Sequence, residues 1–134
     1  MDLQKIKLDH LADNIFSEVA KEAADFISPS IERGRTDVNK STQLRKFYDE
    51  LMMWHDKVLF AKDQDRQAAY VQAAPFIQML KAKAAYSLGR KYVNENFVKV
   101  FNQIISQINS PDTLKHAKLF FEAVLAFRKA SEQK

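Results

Sequence analysis

The sequence predicts an all-α protein, a compact bundle of about five helices, on three observations. Apolar residues recur at three- and four-residue spacing along almost the whole chain, the period of an amphipathic helix. Only two glycines and three prolines are present, too little turn material for a set of β-hairpins. Hydrophobic residues make up 46% and charged residues 28%, ordinary values for a globular chain and incompatible with disorder as the dominant state. At 134 residues, a single domain over 1–134 is expected.

The first helix is expected from Leu8 to Phe26, since Leu8, Leu11, Ala12, Ile15, Val19, Ala23 and Phe26 form one stripe. Asp13, Glu18, Lys21 and Asp25 face away from it. It stops near Ser28-Pro29, because proline disfavours helical geometry in the residue before it. A polar connection from Ile31 to Lys40 follows, long for a link between helices and therefore a candidate for function.

The second helix starts at Ser41 or Thr42, either able to cap free N–H groups, with a core stripe of Leu44, Phe47, Tyr48, Leu51, Trp54 and Val58. The third begins near Gln67. Pro75 marks a kink in it or its true first turn; Phe76, Leu80, Ala84 and Leu88 are its expected core face, and Gly89 its expected end. The fourth runs from about Tyr92 to Ile108 and buries Val93, Phe97, Val100, Phe101, Ile104, Ile105 and Ile108. Ser110-Pro111-Asp112 opens the fifth with a capping hydroxyl, a proline at the first position and an acid at the positive helix end. This last helix, to about Lys129, is apolar nearly all round, so it is central in the bundle or shared with a partner. Arg128 lies on its apolar side, either paired within the fold or protruding into an interface.

The net charge is +4, a mild basic excess unevenly spread. Residues 1–30 carry 3 basic and 6 acidic groups, whereas residues 31–134 carry 18 basic and 11 acidic groups. Between Asp65 and Glu95 there is no acid, but there are Arg66, Lys81, Lys83, Arg90 and Lys91. No cysteine is present, which excludes disulfides, thiolate metal sites and thiol nucleophiles. No basic stretch followed by an apolar run opens the chain, and no apolar segment approaches the roughly 20 residues of a membrane span. A soluble, cytoplasmic protein without membrane contact is expected.

Catalytic constellations are missing. His10, His55 and His116 fall on different predicted helices, and His55 reads as a structural core-edge residue. His10 and Asp13 are two metal-ligand types without a third nearby; Asp63 and Asp65 lack the glycine and glutamate of a calcium loop. There is no phosphate-cradling glycine loop and no serine elbow. No enzyme, no metal and no cofactor is therefore expected.

The cations carry more information. Lys83, Tyr86 and Arg90 fall at i, i+3 and i+7, a cation–aromatic–cation ladder suited to a nucleic-acid backbone. The same spacing also suits two snorkelling cations around a tyrosine that caps the core, and both readings stand. Lys81 and Lys91 widen the positive field. Arg45 and Lys46 occupy the first turn of the second helix, where the macrodipole favours acids. With the loop cations Arg33, Arg35 and Lys40 ahead of them, they form a candidate phosphate grip, against the alternative of ordinary solvated charge.

Three stretches together resemble a family. Lys40-Ser41-Thr42-Gln43-Leu44-Arg45-Lys46-Phe47-Tyr48, the stretch Met79-Leu80-Lys81-Ala82-Lys83-Ala84-Ala85-Tyr86-Ser87-Leu88-Gly89-Arg90, and Phe120-Phe121-Glu122-Ala123-Val124-Leu125-Ala126-Phe127 are similar, in order and spacing, to blocks of the Csm small subunit of type III-A CRISPR effector complexes. The resemblance implies a non-catalytic helical subunit repeated along a ribonucleoprotein filament in antiviral defence. Its implied partners are guide RNA, target RNA, the other effector subunits and further copies of itself. It assigns RNA contact to Arg45, Lys46, Lys81, Lys83, Tyr86 and Arg90; Arg33, Arg35 and Lys40 remain further candidates on charge. Binding would follow backbone and shape rather than sequence, with specificity left to guide–target pairing. The acidic first helix would then face basic neighbours in the assembly. Two alternatives stand beside this reading: a helical adaptor that binds proteins through its apolar last helix, and the small subunit of the related type III-B complex.

Overall fold

The computed structural model describes residues 1–28 and 38–132, and among them every regular element is helical. The α-helices are α1 (Ala20–Phe26), α2 (Ser41–Leu59), α3 (Arg66–Gln78), α4 (Leu80–Gly89), α5 (Glu95–Ser106) and α6 (Pro111–Glu132). The helix expected between Gln67 and Gly89 is divided at Met79 into α3 and α4, so the five-helix reading holds with one rod broken.

Two boundaries differ from expectation for physical reasons. The first helix begins with a π-helical turn at Ile15–Val19 rather than at Leu8. Ahead of it lie a 3-10 turn at Leu3–Lys5 and bends at 8–10, and in this irregular strip Ile6 and Leu8 are buried while Lys5, Lys7 and Asp9 are exposed. That strip is tied down by side chains: Gln107 Oε1 accepts from the Leu8 N–H at 3.2 Å, and Gln103 Nε2 donates to the Ile6 carbonyl at 3.0 Å. His116 Nδ1 lies 2.6 Å from the Leu8 carbonyl. The second difference is in α3, where Pro75 sits inside the helix and the discontinuity falls four residues later. The inward stripe is Tyr70, Ala73, Ile77, Leu80 and Ala84, and Phe76 points outward.

The caps explain the other ends. Asn94 accepts from the Phe97 N–H at 3.1 Å, with Glu95 in the first turn, so α5 starts at Glu95 and not at Tyr92. Ser110 Oγ accepts from the Thr113 N–H at 3.1 Å to start α6 as its sequence predicts. At α2 the N-cap is Lys40, which offers no side-chain acceptor, and neither Ser41 nor Thr42 fills that role.

All the buried apolar residues but Val38 form one continuous cluster. At its centre Phe47, Phe97, Phe101 and Phe121 meet with ring centroids 5.1–6.3 Å apart. Each buried ring contributes roughly 1.5–3 kcal/mol. α6 packs against α1, α2, α3 and α5, and its Leu114, Ala117, Phe120, Phe121 and Val124 are buried within the chain. Its apolar circumference is therefore explained by a central position.

Arg128 does not protrude; it is 1% exposed. Its Nη2 donates to the Asn39 carbonyl at 2.8 Å. Asn39 is the hub of this region. Its side-chain amide donates to the Ile27 carbonyl at 3.2 Å and to Asn94 Oδ1 at 2.9 Å, and its own Oδ1 accepts from the Asn94 N–H at 3.1 Å. Its backbone N–H donates to the Tyr92 carbonyl at 3.0 Å. Asn39 adopts φ 58°, a left-handed conformation that asparagine tolerates better than most residues. The hub joins the end of α1, the start of α2, the α4–α5 link and the end of α6.

Candidate nucleic-acid interface

α2 and the α3–α4 rod lie side by side, and their facing residues form successive rungs. Trp54 stacks on Phe76, Glu50 pairs with Lys83, and Lys46 and Phe47 share a groove with Tyr86 and Ser87. As residue numbers fall along α2 they rise along the rod, so the pairing is antiparallel. The groove encloses about 360 Å³ and is lined by Gln43, Lys46, Phe47, Glu50, Lys83 and Tyr86 among others.

Lys83 reaches into this groove with both Glu50 oxygens 2.7 Å from its Nζ. Tyr86 is 64% exposed, so it does not cap the core. Arg90 stands between two tyrosines, its guanidinium carbon 5.8 Å from the Tyr86 ring centroid and 5.5 Å from that of Tyr92. It donates to the Tyr86 hydroxyl at 3.0 Å and to the Tyr92 hydroxyl at 3.2 Å. These two bonds, the one to Tyr86 foremost, hold the guanidinium still more firmly in its charged form. Neutral partners orient the cation without cancelling it, and Arg90 remains exposed.

The backbone beneath Arg90 is fixed by a Schellman turn. The Tyr92 N–H bonds the Ser87 carbonyl and the Lys91 N–H bonds the Leu88 carbonyl, each at 3.0 Å. Glycine usually takes the left-handed position of this turn, but here it is Lys91, at φ 64°. Gly89, where the helix was expected to end, is indeed its last residue. Since the Tyr92 carbonyl accepts from Asn39, the buried hub also sets the α4 end relative to the α2 start.

Not every candidate joins this groove. Arg45 lies on the other flank of α2, 5.3 Å from the Tyr48 ring centroid and bonded through Nε to Asp49 at 3.0 Å. There it lines a second hollow of about 380 Å³ with Ser41, Thr42, Leu125 and Lys129. Beside it Tyr48 donates to Glu122 at 2.6 Å, and Lys118 Nζ meets the same oxygen at 2.8 Å. The Lys118 bond, then the Tyr48 bond, holds the Glu122 carboxyl below the usual carboxylate range; burial raises the Tyr48 hydroxyl. Lys81 is half-buried and does not line the α2–α4 groove, and Lys40 is exposed at the α2 N-cap. Arg33 and Arg35 lie outside the described residues.

Three participants escaped the sequence reading: Tyr92, Glu50 and the Trp54–Phe76 pair. A Tyr-x-x-x-Arg-x-Tyr pattern at 86–92 was the available signal for Tyr92. Glu50 carried none, because its partner is 33 residues away on another helix.

Among the described residues no group of three or more histidines or acids is placed to hold a metal ion. His10 is exposed, and His55, half-buried, has Nδ1 2.9 Å from Asp56. Among the same residues no helix is long and apolar enough to cross a membrane. Comparison with protein families supplies what geometry alone does not: the Csm2 Type III-A family matches residues 14–134. The chain belongs to that family. Neither the curated proteins nor the solved structures gave a match.

Csm2 is a family of structural small subunits of type III-A effector complexes, not one known for catalysis, and membership implies association with the other Csm subunits. The match spans all three blocks that carried the resemblance, and it favours type III-A over the type III-B alternative. It also takes in α1, ahead of those three blocks. On and near that helix several acids already have partners: Glu22 with Lys5 at 3.4 Å, Asp25 with Lys21 at 2.9 Å, and Glu18 with the Asn14 amide at 3.1 Å.

Proposed function

We propose that this chain is the non-catalytic small subunit of a Csm ribonucleoprotein, stacking along its filament in antiviral defence and gripping guide and target RNA by their backbones. One observation carries the reading: in a Csm2 family member, Lys46, Lys83 and Tyr86 line one exposed groove, and Arg90 stacks on Tyr86 beside it. Distributed cations with an aromatic among them hold phosphates without reading bases. Arg45 belongs to a separate contact on the other flank of α2, so RNA touching both must cross the N-terminal part of that helix. Lys40 and Lys81 supply long-range field rather than direct grip, and the proposal extends to Arg33 and Arg35 on charge alone. The acids near α1 serve contacts with basic neighbouring subunits. The filament works in the cytoplasm.

A native pull-down of the tagged protein tests this, with sizing, subunit identification and sequencing of bound RNA. A large particle carrying repeat-derived guide RNA is expected. A free 15.5 kDa species, in cells shown to express guide RNA, contradicts it.

A further inference from the structure

The groove ends in an aromatic platform that phosphate contacts do not use. Trp54 and Phe76 stack with centroids 5.3 Å apart and 15° between their planes. Phe76 is 54% exposed although one of its faces lies against Trp54, so the opposite face looks into water. One turn further on the same side of the rod, Met79 is 53% exposed. A flat ring backed by a second ring, with a thioether beside it, is a surface for another flat group.

The surroundings select the kind of group. Lys57 Nζ lies 5.2 Å from the Trp54 ring centroid at one end of the platform. Lys83 stands seven residues past Phe76 at the other, about 10 Å away by helical rise. The rod itself offers no acid to repel a phosphate, since none occurs between Asp65 and Glu95, and Glu50 on the α2 side of the groove is already paired with Lys83. An apolar platform between cations, in line with Lys83, Tyr86 and Arg90, matches single-stranded nucleic acid, where bases stack and phosphates pair. A duplex is a poorer fit because its internal base faces are already covered.

We propose that the Phe76–Trp54 stack is a docking site for one unpaired nucleobase of an RNA strand whose phosphates run along Lys83 and Arg90. This rests on the RNA-binding reading above. The base lies on the free face of Phe76, with Met79 against its edge. It adds affinity for unpaired segments without choosing among the four bases, since each has a π-face.

The chain has one tryptophan, so Trp54 emission reports on this site without a label. The full-length protein is titrated with an oligoadenylate of roughly ten nucleotides, with an abasic oligomer of equal length, and with an RNA duplex. Anisotropy of the labelled RNA is followed in parallel. Oligoadenylate should bind and quench Trp54, whereas the abasic oligomer and the duplex should bind without quenching. Phe76→Leu, checked for an unchanged helical spectrum, should lower oligoadenylate affinity about tenfold and leave the abasic oligomer unaffected. Binding with unchanged emission and no effect of Phe76→Leu overturns the base site and leaves the phosphate grip intact. Equal quenching by the duplex, or quenching only when a protein subunit is added, also overturns it. Failure of all three RNAs to bind overturns the base site together with the RNA grip.

Discussion

The interior around Asn39 and the exposed end of α4 beside the groove each hold an arginine and each contain a residue in left-handed conformation. Inside, Arg128 is spent on a backbone carbonyl, and Asn39 takes the left-handed turn while using its N–H, its carbonyl and its side-chain amide in hydrogen bonds. On the surface, Arg90 is braced only by two neutral hydroxyls, and the left-handed position falls to Lys91, an exposed cation. A guanidinium bonded to the fold's own backbone holds helices together. One oriented by tyrosines keeps its charge for something outside. The difference teaches how to sort the cations of this chain: by what they are bonded to, not by where they fall in the sequence.

The most forceful way to break this division is Arg128→Met, which keeps bulk and removes the donor. The Asn39 carbonyl is left buried without that bond, and unfolding free energy should drop by about 3 kcal/mol in chemical denaturation. RNA retention per folded molecule should stay the same. Lys91→Gly acts the other way. It relieves a left-handed lysine at the Schellman turn, and a gain of about 1 kcal/mol is expected from the same measurement.

A subtler change sharpens the surface half. Glu50→Gln frees Lys83 and removes the carboxylate from the groove, so RNA affinity should rise several-fold at low salt. Stability should fall by less than about 1 kcal/mol, because the pair is partly exposed. Smallest is a pH effect on the α2–α6 flank. Because Glu122 has a lowered pKa, its contribution is present above the ordinary carboxylate range and is lost as pH falls through the lowered value. Lys118 and Tyr48 are both raised, so the loss on their side appears only in alkali. Melting temperatures of the native chain and Glu122→Gln should differ slightly at neutral pH and converge as the solution is acidified through that range.

The helices and most of the core were legible because periodicity reports burial directly, and Leu44, Phe47, Phe97 and Phe101 are buried as their spacing predicts. The α3 face was misjudged because Phe76 is conspicuous and Ala73 is not, although Ala73, Ile77, Leu80 and Ala84 are the stripe that packs. Leu8 is expected to open the first helix because it falls in register with Leu11, Ala12 and Ile15, whereas it is buried in the irregular strip ahead of that helix. At the interface, Lys83, Tyr86 and Arg90 share one helix, so spacing brought them together. Lys46 joined Lys83 and Tyr86 in the groove and Arg45 did not, a separation set by how α2 packs between α3 and α6. Arg128 stayed undecided because its partner, Asn39, is 89 residues away.

The most direct test compares Lys83→Gln/Arg90→Gln with Arg128→Met in a salt series of RNA retention. The double variant should keep its cooperative thermal transition and lose RNA affinity, with the salt slope on single strands reduced by about 1.4. Arg128→Met should melt early yet keep the full slope while folded. A double variant that retains RNA fully but loses its cooperative transition would make Lys83 and Arg90 structural and contradict the division between the two regions.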